Sequence, residues 1–208
     1  MKKLIATLSA AVAQTFAGSA QALPTQYASP GVQNTATYSF TAAADGDVIA
    51  YFAGSTAAYT NVLGLLINGV ESAISGLNNQ TSSIGDMLNF GTVKAGDSLV
   101  FKLTTTNSLG NGTVGPWYSE RSRNADGYQH VYSTANYTGA VGAVNVTGAT
   151  YVAFEDQSVN PNFNYNDENF VFVNVGSVTD VPEPASLALL GLGILGLAAS
   201  RRKAAKSA

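Results

Sequence analysis

Both ends of this chain are apolar and flanked by basic residues, and the stretch between them is polar. That division limits what is left to fold. Lys2 and Lys3 precede an uncharged stretch from Leu4 to about Ala17, followed by Ala20-Gln21-Ala22. A basic start, an apolar run and small residues at Ala20 and Ala22 make a secretory signal peptide, residues 1–22, expected to be cut after Ala22. At the other end, Val181-Pro182-Glu183-Pro184 leads into sixteen uncharged residues, Ala185 to Ser200, and then Arg201, Arg202 and Lys203. This reads as a membrane-stop helix with its basic end held in the cytoplasm. Sixteen helical residues cover roughly 24 Å, whereas the hydrocarbon core is about 30 Å thick and normally takes about 20 residues. Gly191, Gly193 and Gly196 lower helix propensity further, and snorkelling Arg201 and Arg202 lengthen the fit. The segment suits a temporary stay in a membrane better than a permanent one. Only residues 23–180 remain to build a body.

The stretch from Val181 to about Lys203 resembles the PEP-CTERM sorting signal of bacterial envelope proteins. Its three parts occur in order: Pro182, Glu183 and Pro184, then the apolar helix 185–200, then Arg201, Arg202 and Lys203 in the basic tail that runs to 208. The resemblance implies that a membrane-embedded protease-transpeptidase, an exosortase, recognises Pro-Glu-Pro and removes the tail. It implies the secretion machinery, signal peptidase and exosortase as partners, with the C-terminal helix in the membrane before processing. It also implies an address: the inner membrane in transit, then the envelope, outer surface or extracellular matrix of a Gram-negative bacterium, in an exopolysaccharide or biofilm setting.

Without its ends the chain changes character. Six of ten basic residues lie in the end segments, and all thirteen acids lie between Asp45 and Glu183. Residues 23–184 hold four basic and thirteen acidic residues, a formal charge of −9 against −3 for the whole chain. Nucleic acid is an unsuitable partner, because phosphates need a basic surface. Divalent cations are compatible with such a body, and its charge favours solubility. There is no cysteine, so no disulfide, thiolate metal site, thiol nucleophile or lipid-bearing cysteine exists. About 160 residues suffice for one self-supporting core.

The body is expected to be all-β, a β-sandwich of jelly-roll or immunoglobulin-like topology, with about eight to ten short strands and polar turns. Strand-like runs cover Thr35–Thr41, Val48–Phe52, Val62–Ile67, Val70–Ile74, Met87–Val93, Ser98–Thr106, Tyr128–Thr134, Thr150–Phe154 and Phe170–Val175. Several alternate with period two, as at Leu99, Phe101 and Leu103. Asn68-Gly69 is the strongest hairpin signal. Lys94-Ala95-Gly96-Asp97 is read as a second hairpin turn, joining 87–93 to 98–106. No amphipathic helix and no fixed repeat is visible.

The stretch Tyr151 to Val173 concentrates oxygen ligands. A strand runs into Glu155 and Asp156, and Asn162, Asn164, Asn166, Asp167 and Glu168 crowd the turn before Phe170. Calcium takes six to eight hard oxygens, which carboxylates and amide carbonyls supply. The set is therefore a candidate Ca²⁺ site, although it lacks the spacing of an EF-hand. The alternative is that the asparagines accept backbone bonds in tight turns. The stretch also resembles a bacterial surface domain family of unknown function, marked by an FED segment and a later D-x-D-Y-N-D segment. Phe154-Glu155-Asp156 matches the first. Tyr165, Asn166 and Asp167 match the second, with Asn162 and Asn164 in place of its first two aspartates.

Enzyme chemistry is not expected. His130 is the only histidine, no G-x-S-x-G elbow exists, and histidine-based zinc sites usually need two or more such ligands. A carboxylate-pair glycosidase would draw on Glu155, Asp156, Asp167 or Glu168. Leu109 to Gly127 reads as a long loop carrying the only tryptophan. Trp117 and Tyr118 form either a stacking platform for a polysaccharide ring or packing at a sandwich end. The body thus suits a non-enzymatic envelope or matrix component, with a carbohydrate-binding or calcium-binding surface module as the alternative.

Overall fold

The computed structural model describes residues 26–107, 114–158 and 161–180. The signal-peptide and tail assignments at 1–22 and 181–208 lie outside these residues. Among the described residues no helix is long and apolar enough to cross a membrane.

Eleven strands are present among the described residues: β1 (Thr37–Ala42), β2 (Gly46–Ser55), β3 (Thr60–Ile67), β4 (Val70–Gly76), β5 (Met87–Val93), β6 (Ser98–Thr106), β7 (Trp117–Tyr118), β8 (Val131–Val141), β9 (Val144–Phe154), β10 (Glu168–Val173) and β11 (Val175–Asp180). They form two antiparallel sheets, ordered β11-β1-β6-β3-β4, with β7 beside β6, and β5-β2-β10-β9-β8. The body is a β-sandwich. Early and late strands meet in both sheets: β1 pairs with β11, and β2 with β10. The first and last described strands thus lie side by side at one edge of the sheet they share.

Period-two alternation builds the core. Leu63 and Leu65 of β3, Leu99, Phe101 and Leu103 of β6, Val152 and Phe154 of β9, and Phe170 and Phe172 of β10 all point inward and are buried. Phe101 stacks on Phe172 across the sandwich, with ring centroids 4.0 Å apart, and meets Phe40 edge-on at 4.9 Å. A second apolar layer covers the outer face of the β5-β2-β10-β9-β8 sheet. There Tyr151, Ala153 and Val171 pack with Tyr165 from the loop before β10 and with Tyr27.

The Asn68-Gly69 turn joins β3 to β4 as the sequence suggests, with Ile67 opposite Val70. Both turn residues take positive φ, 51° at Asn68 and 80° at Gly69, as this two-residue turn requires. A side chain at Gly69 would meet nothing within 4 Å, so its cost is purely conformational. Gly69→Val should therefore destabilise the protein by about 1–2 kcal/mol, read as a lower urea midpoint at unchanged slope.

The expected second hairpin does not form. β5 pairs with β2 in one sheet, and β6 pairs with β1 and β3 in the other. Lys94–Asp97 is an arch between sheets, running beside the β1–β2 connection. Asp45 of that connection accepts the Ala95 amide at 2.9 Å and pairs with Lys94 at 2.9 Å. The Ala42 amide donates to the Asp97 carbonyl, and the Gly96 amide donates to the Ala42 carbonyl. A hairpin and an arch share the same local turn chemistry. The choice depends on which strands lie alongside.

Candidate functional site

At one end of the sandwich the inward-facing rows stop being apolar. On β3 the row Leu65, Leu63 ends at Asn61. On β6 the row Phe101, Leu103 ends at Thr105, opposite Asn61 in register. On β9 the row Val152, Phe154 continues to Asp156, and on β10 the row Phe172, Phe170 ends at Glu168. These four polar side chains are 0–1% exposed. The two sheets meet there directly: the Asn61 Nδ2–H donates to an Asp156 carboxylate oxygen at 2.8 Å, across 95 residues of sequence.

Glu155 and Asp167 complete the cluster, at 0% and 4% exposure. One ligand oxygen each from Glu155, Asp156 and Asp167 can be chosen so that all lie within 4.8 Å of one another. The Asp156 amide donates to Asp167 Oδ2 at 2.9 Å, and the Asp167 amide donates to the Phe154 carbonyl at 3.1 Å. Trp117 closes one side, its indole N–H donating to the Asp156 carbonyl at 2.8 Å. The loop 161–167 is held by Tyr165. Its hydroxyl donates to the Gln129 carbonyl and accepts the Asn34 amide, both at 2.9 Å.

The carboxylates are poorly compensated. Among the described residues, both oxygens of Glu155, both of Glu168, Oδ1 of Asp156, Oδ1 of Asn61 and Oγ1 of Thr105 have no hydrogen-bond partner. Burial, reinforced by the charges of Asp167 and Asp156, holds the Glu155 carboxyl well above its ordinary range. Burial and then Asp167 push Asp156 the same way. Glu168 is pushed up to about 9, chiefly by burial; the neighbouring Ser55 and Asn61 side chains offset a part. The ion pairs of the described residues, at Asp45, Glu71, Glu120 and Asp126, all lie outside the cluster. Buried carboxyls without donors either stay protonated or accept a cation.

Of the seven residues read from the sequence as ligands, the four acids are buried together here and the three asparagines are not. Asn162 Oδ1 accepts the Asn164 amide at 3.0 Å, Asn164 Oδ1 accepts the Asn166 amide at 3.3 Å, and Asn166 Oδ1 accepts the Thr56 hydroxyl at 2.8 Å. They shape the loop that carries Asp167. Asn61 escaped the sequence reading. The available signal was an amide placed in period with Leu63 and Leu65.

Trp117 does not present an open ring to a sugar. It is 4% exposed and stacks on His130, with centroids 4.0 Å apart and planes 7° apart. Its packing at the sandwich end leaves Tyr118, half-buried beside a groove of about 450 Å³, as the accessible member of that pair. His130 is itself buried, with Nδ1 2.6 Å from the Glu155 carbonyl oxygen and Nε2 2.9 Å from an Asp126 carboxylate oxygen.

Beyond the last strand, which ends at Asp180, residues 180–203 match the PEP-CTERM protein-sorting motif. This chain carries a PEP-CTERM sorting signal. The signal implies an exosortase and the secretion machinery as partners, and export through the membrane to the cell surface. No curated protein and no solved structure matches the chain. The PEP-CTERM signal therefore speaks for sorting, and the body's chemistry rests on its own residues.

Proposed function

We propose that this PEP-CTERM protein is a non-enzymatic component of the envelope or extracellular matrix of a Gram-negative bacterium. An exosortase cuts its tail at Pro182-Glu183-Pro184, and the body is deployed with exopolysaccharide. One observation carries the reading. β11 pairs with β1 as far as Asp180 opposite Thr37, and the sorting motif begins where that strand ends. A cut at the motif therefore falls after the last residue that pairs in the sheet, and every strand of the described body lies on the exported side of it.

Burial supports the absence of catalysis. Glu155, Asp156, Asp167 and Glu168 are at most 4% exposed, so a glycan cannot reach a carboxylate pair among them. Both nitrogens of the only histidine are already engaged. A second reading, carbohydrate binding, is favoured by a groove of about 640 Å³ bordered by Thr37, Ser39, Thr41, Ser98, Ser122 and Asn124. Its row of hydroxyl groups matches the hydrogen-bonding chemistry of sugars. A glycan array probed with the exported protein separates the two readings: a blank array favours the structural role, and a glycan-specific signal favours the groove.

Fractionation tests the sorting part. In cells with a working exosortase the protein should appear in the surface or matrix fraction. In cells lacking it, the protein should remain with the inner membrane. Equal surface recovery from both would refute exosortase dependence.

A further inference from the structure

We propose that the buried end of the sandwich is a calcium site in which Glu155, Asp156, Asp167 and the Asn61 carbonyl bind one ion between the two sheets. The proposal stands apart from the sorting role. It replaces the loop asparagines with an internal set, and Asn61 is the new member.

The geometry suits one hard cation. Calcium–oxygen distances of about 2.3–2.6 Å allow ligands on opposite sides of an ion to lie roughly 5 Å apart. The three carboxylates offer oxygens within 4.8 Å of one another. Asn61 is the independent observation. It comes from β3, in the sheet that contains none of these acids, and it is 0% exposed. Its Nδ2–H is spent on Asp156, which holds the amide against the cluster, while its Oδ1 has no donor among the described residues. An unpaired buried amide oxygen beside unpaired carboxylate oxygens is a costly arrangement for a protein alone. It is an ordinary one for a calcium shell. The donors are all oxygen, which favours calcium or magnesium over zinc or copper. A rigid wall of side chains that bind directly suits calcium better than magnesium, which tends to keep its water. Bound there, the ion would join the end of β9, the start of β10 and the start of β3. Calcium would then lock the two sheets together outside the cell, where extracellular modules work at about 10⁻⁴–10⁻³ M.

Trp117 supplies a direct readout, because its indole N–H bonds the carbonyl of Asp156 itself and it is the only tryptophan. Terbium, a luminescent calcium substitute, is added to the full-length protein in detergent after EDTA treatment. Excitation is set where tyrosine does not absorb. Terbium emission should appear, should be displaced by calcium and not by equal magnesium, and should vanish in Trp117→Phe. Saturating calcium should raise the Tm by roughly 5–10 °C. Asp156→Asn and Asn61→Ala should each weaken calcium binding at least about tenfold, a loss typical of one ligand or its support. Glu71→Gln, which removes an exposed acid on β4, should leave binding unchanged. Circular dichroism in EDTA identifies any variant that fails to fold, and the wild-type terbium and calcium results decide the proposal without it. No emission and no shift in Tm overturns it. So does binding that survives Asp156→Asn unchanged, which would place the ion elsewhere.

Discussion

In the absence of divalent cations, the protein should melt at a higher temperature at about pH 5 than at about pH 9. Glu155, Asp156 and Glu168 are held protonated in the folded state at pH values where the unfolded chain has lost those protons. A raised carboxyl pKa therefore contributes stability at low pH. That contribution declines as pH climbs from the unfolded value of 4.5 for glutamate towards about 9 for Glu168. A tenfold change in proton affinity is worth about 1.4 kcal/mol, so the loss amounts to a few kcal/mol, or roughly 10 °C in Tm. The groups facing Glu168 are Ser55 and Asn61, which favour its charged form, and Asp156 and Asp167, which oppose it. Asp45, Asp47 and Asp97 work in the other direction. Hydrogen bonds at exposed positions lower their pKa values, and their contribution is lost only in stronger acid. Glu168→Gln should flatten the decline, raising Tm at about pH 9 and leaving it unchanged at about pH 5. Calorimetric scans of both proteins in EDTA provide the comparison. A Tm that rises across this range in the wild type would refute the assignment.

Phe101→Ala should cost about 3–5 kcal/mol. Phe101 is fully buried, packs against Phe40 within its own sheet, and stacks on Phe172 of the other. Its removal opens a cavity at the contact that joins the sheets, where Phe172 and Phe40 each lose an aromatic neighbour. Domains of this size are stable by about 5–15 kcal/mol, so the substitution takes a large share of the total. Urea unfolding should show a much lower midpoint. The exposed Val178 of β11, substituted by alanine, should stay within about 0.5 kcal/mol of wild type.

Much of the architecture is legible in the sequence because strand alternation and turn chemistry are local. The β3–β4 hairpin follows from Asn68-Gly69 alone. The arch at Lys94–Asp97 reads as a hairpin because its turn residues are those of one, and only the distant partners β2, β1 and β3 decide between them. The extent of β8 is also hidden. The alternation stops near Thr134, where the register shifts between Thr134 and Tyr137 and again before Gly139, with Asn136 at φ 59°. Bulges break the period on which the reading depends.

The candidate site is half legible. Glu155, Asp156, Asp167 and Glu168 lie within fourteen residues of one another, so their clustering shows in the sequence. The asparagines share that proximity, but each bonds its own turn or Thr56. Proximity along the chain says nothing about which side chains face inward. Asn61 and Thr105 belong to the other sheet. Their role emerges only when two rows of inward-facing residues are seen to end at the same place.

The most direct test of the central claim is the mass of the mature protein recovered from the cell surface. Export followed by exosortase processing requires an N-terminus at Leu23 and a C-terminus near Pro184. An intact Ala208 at the surface would contradict it.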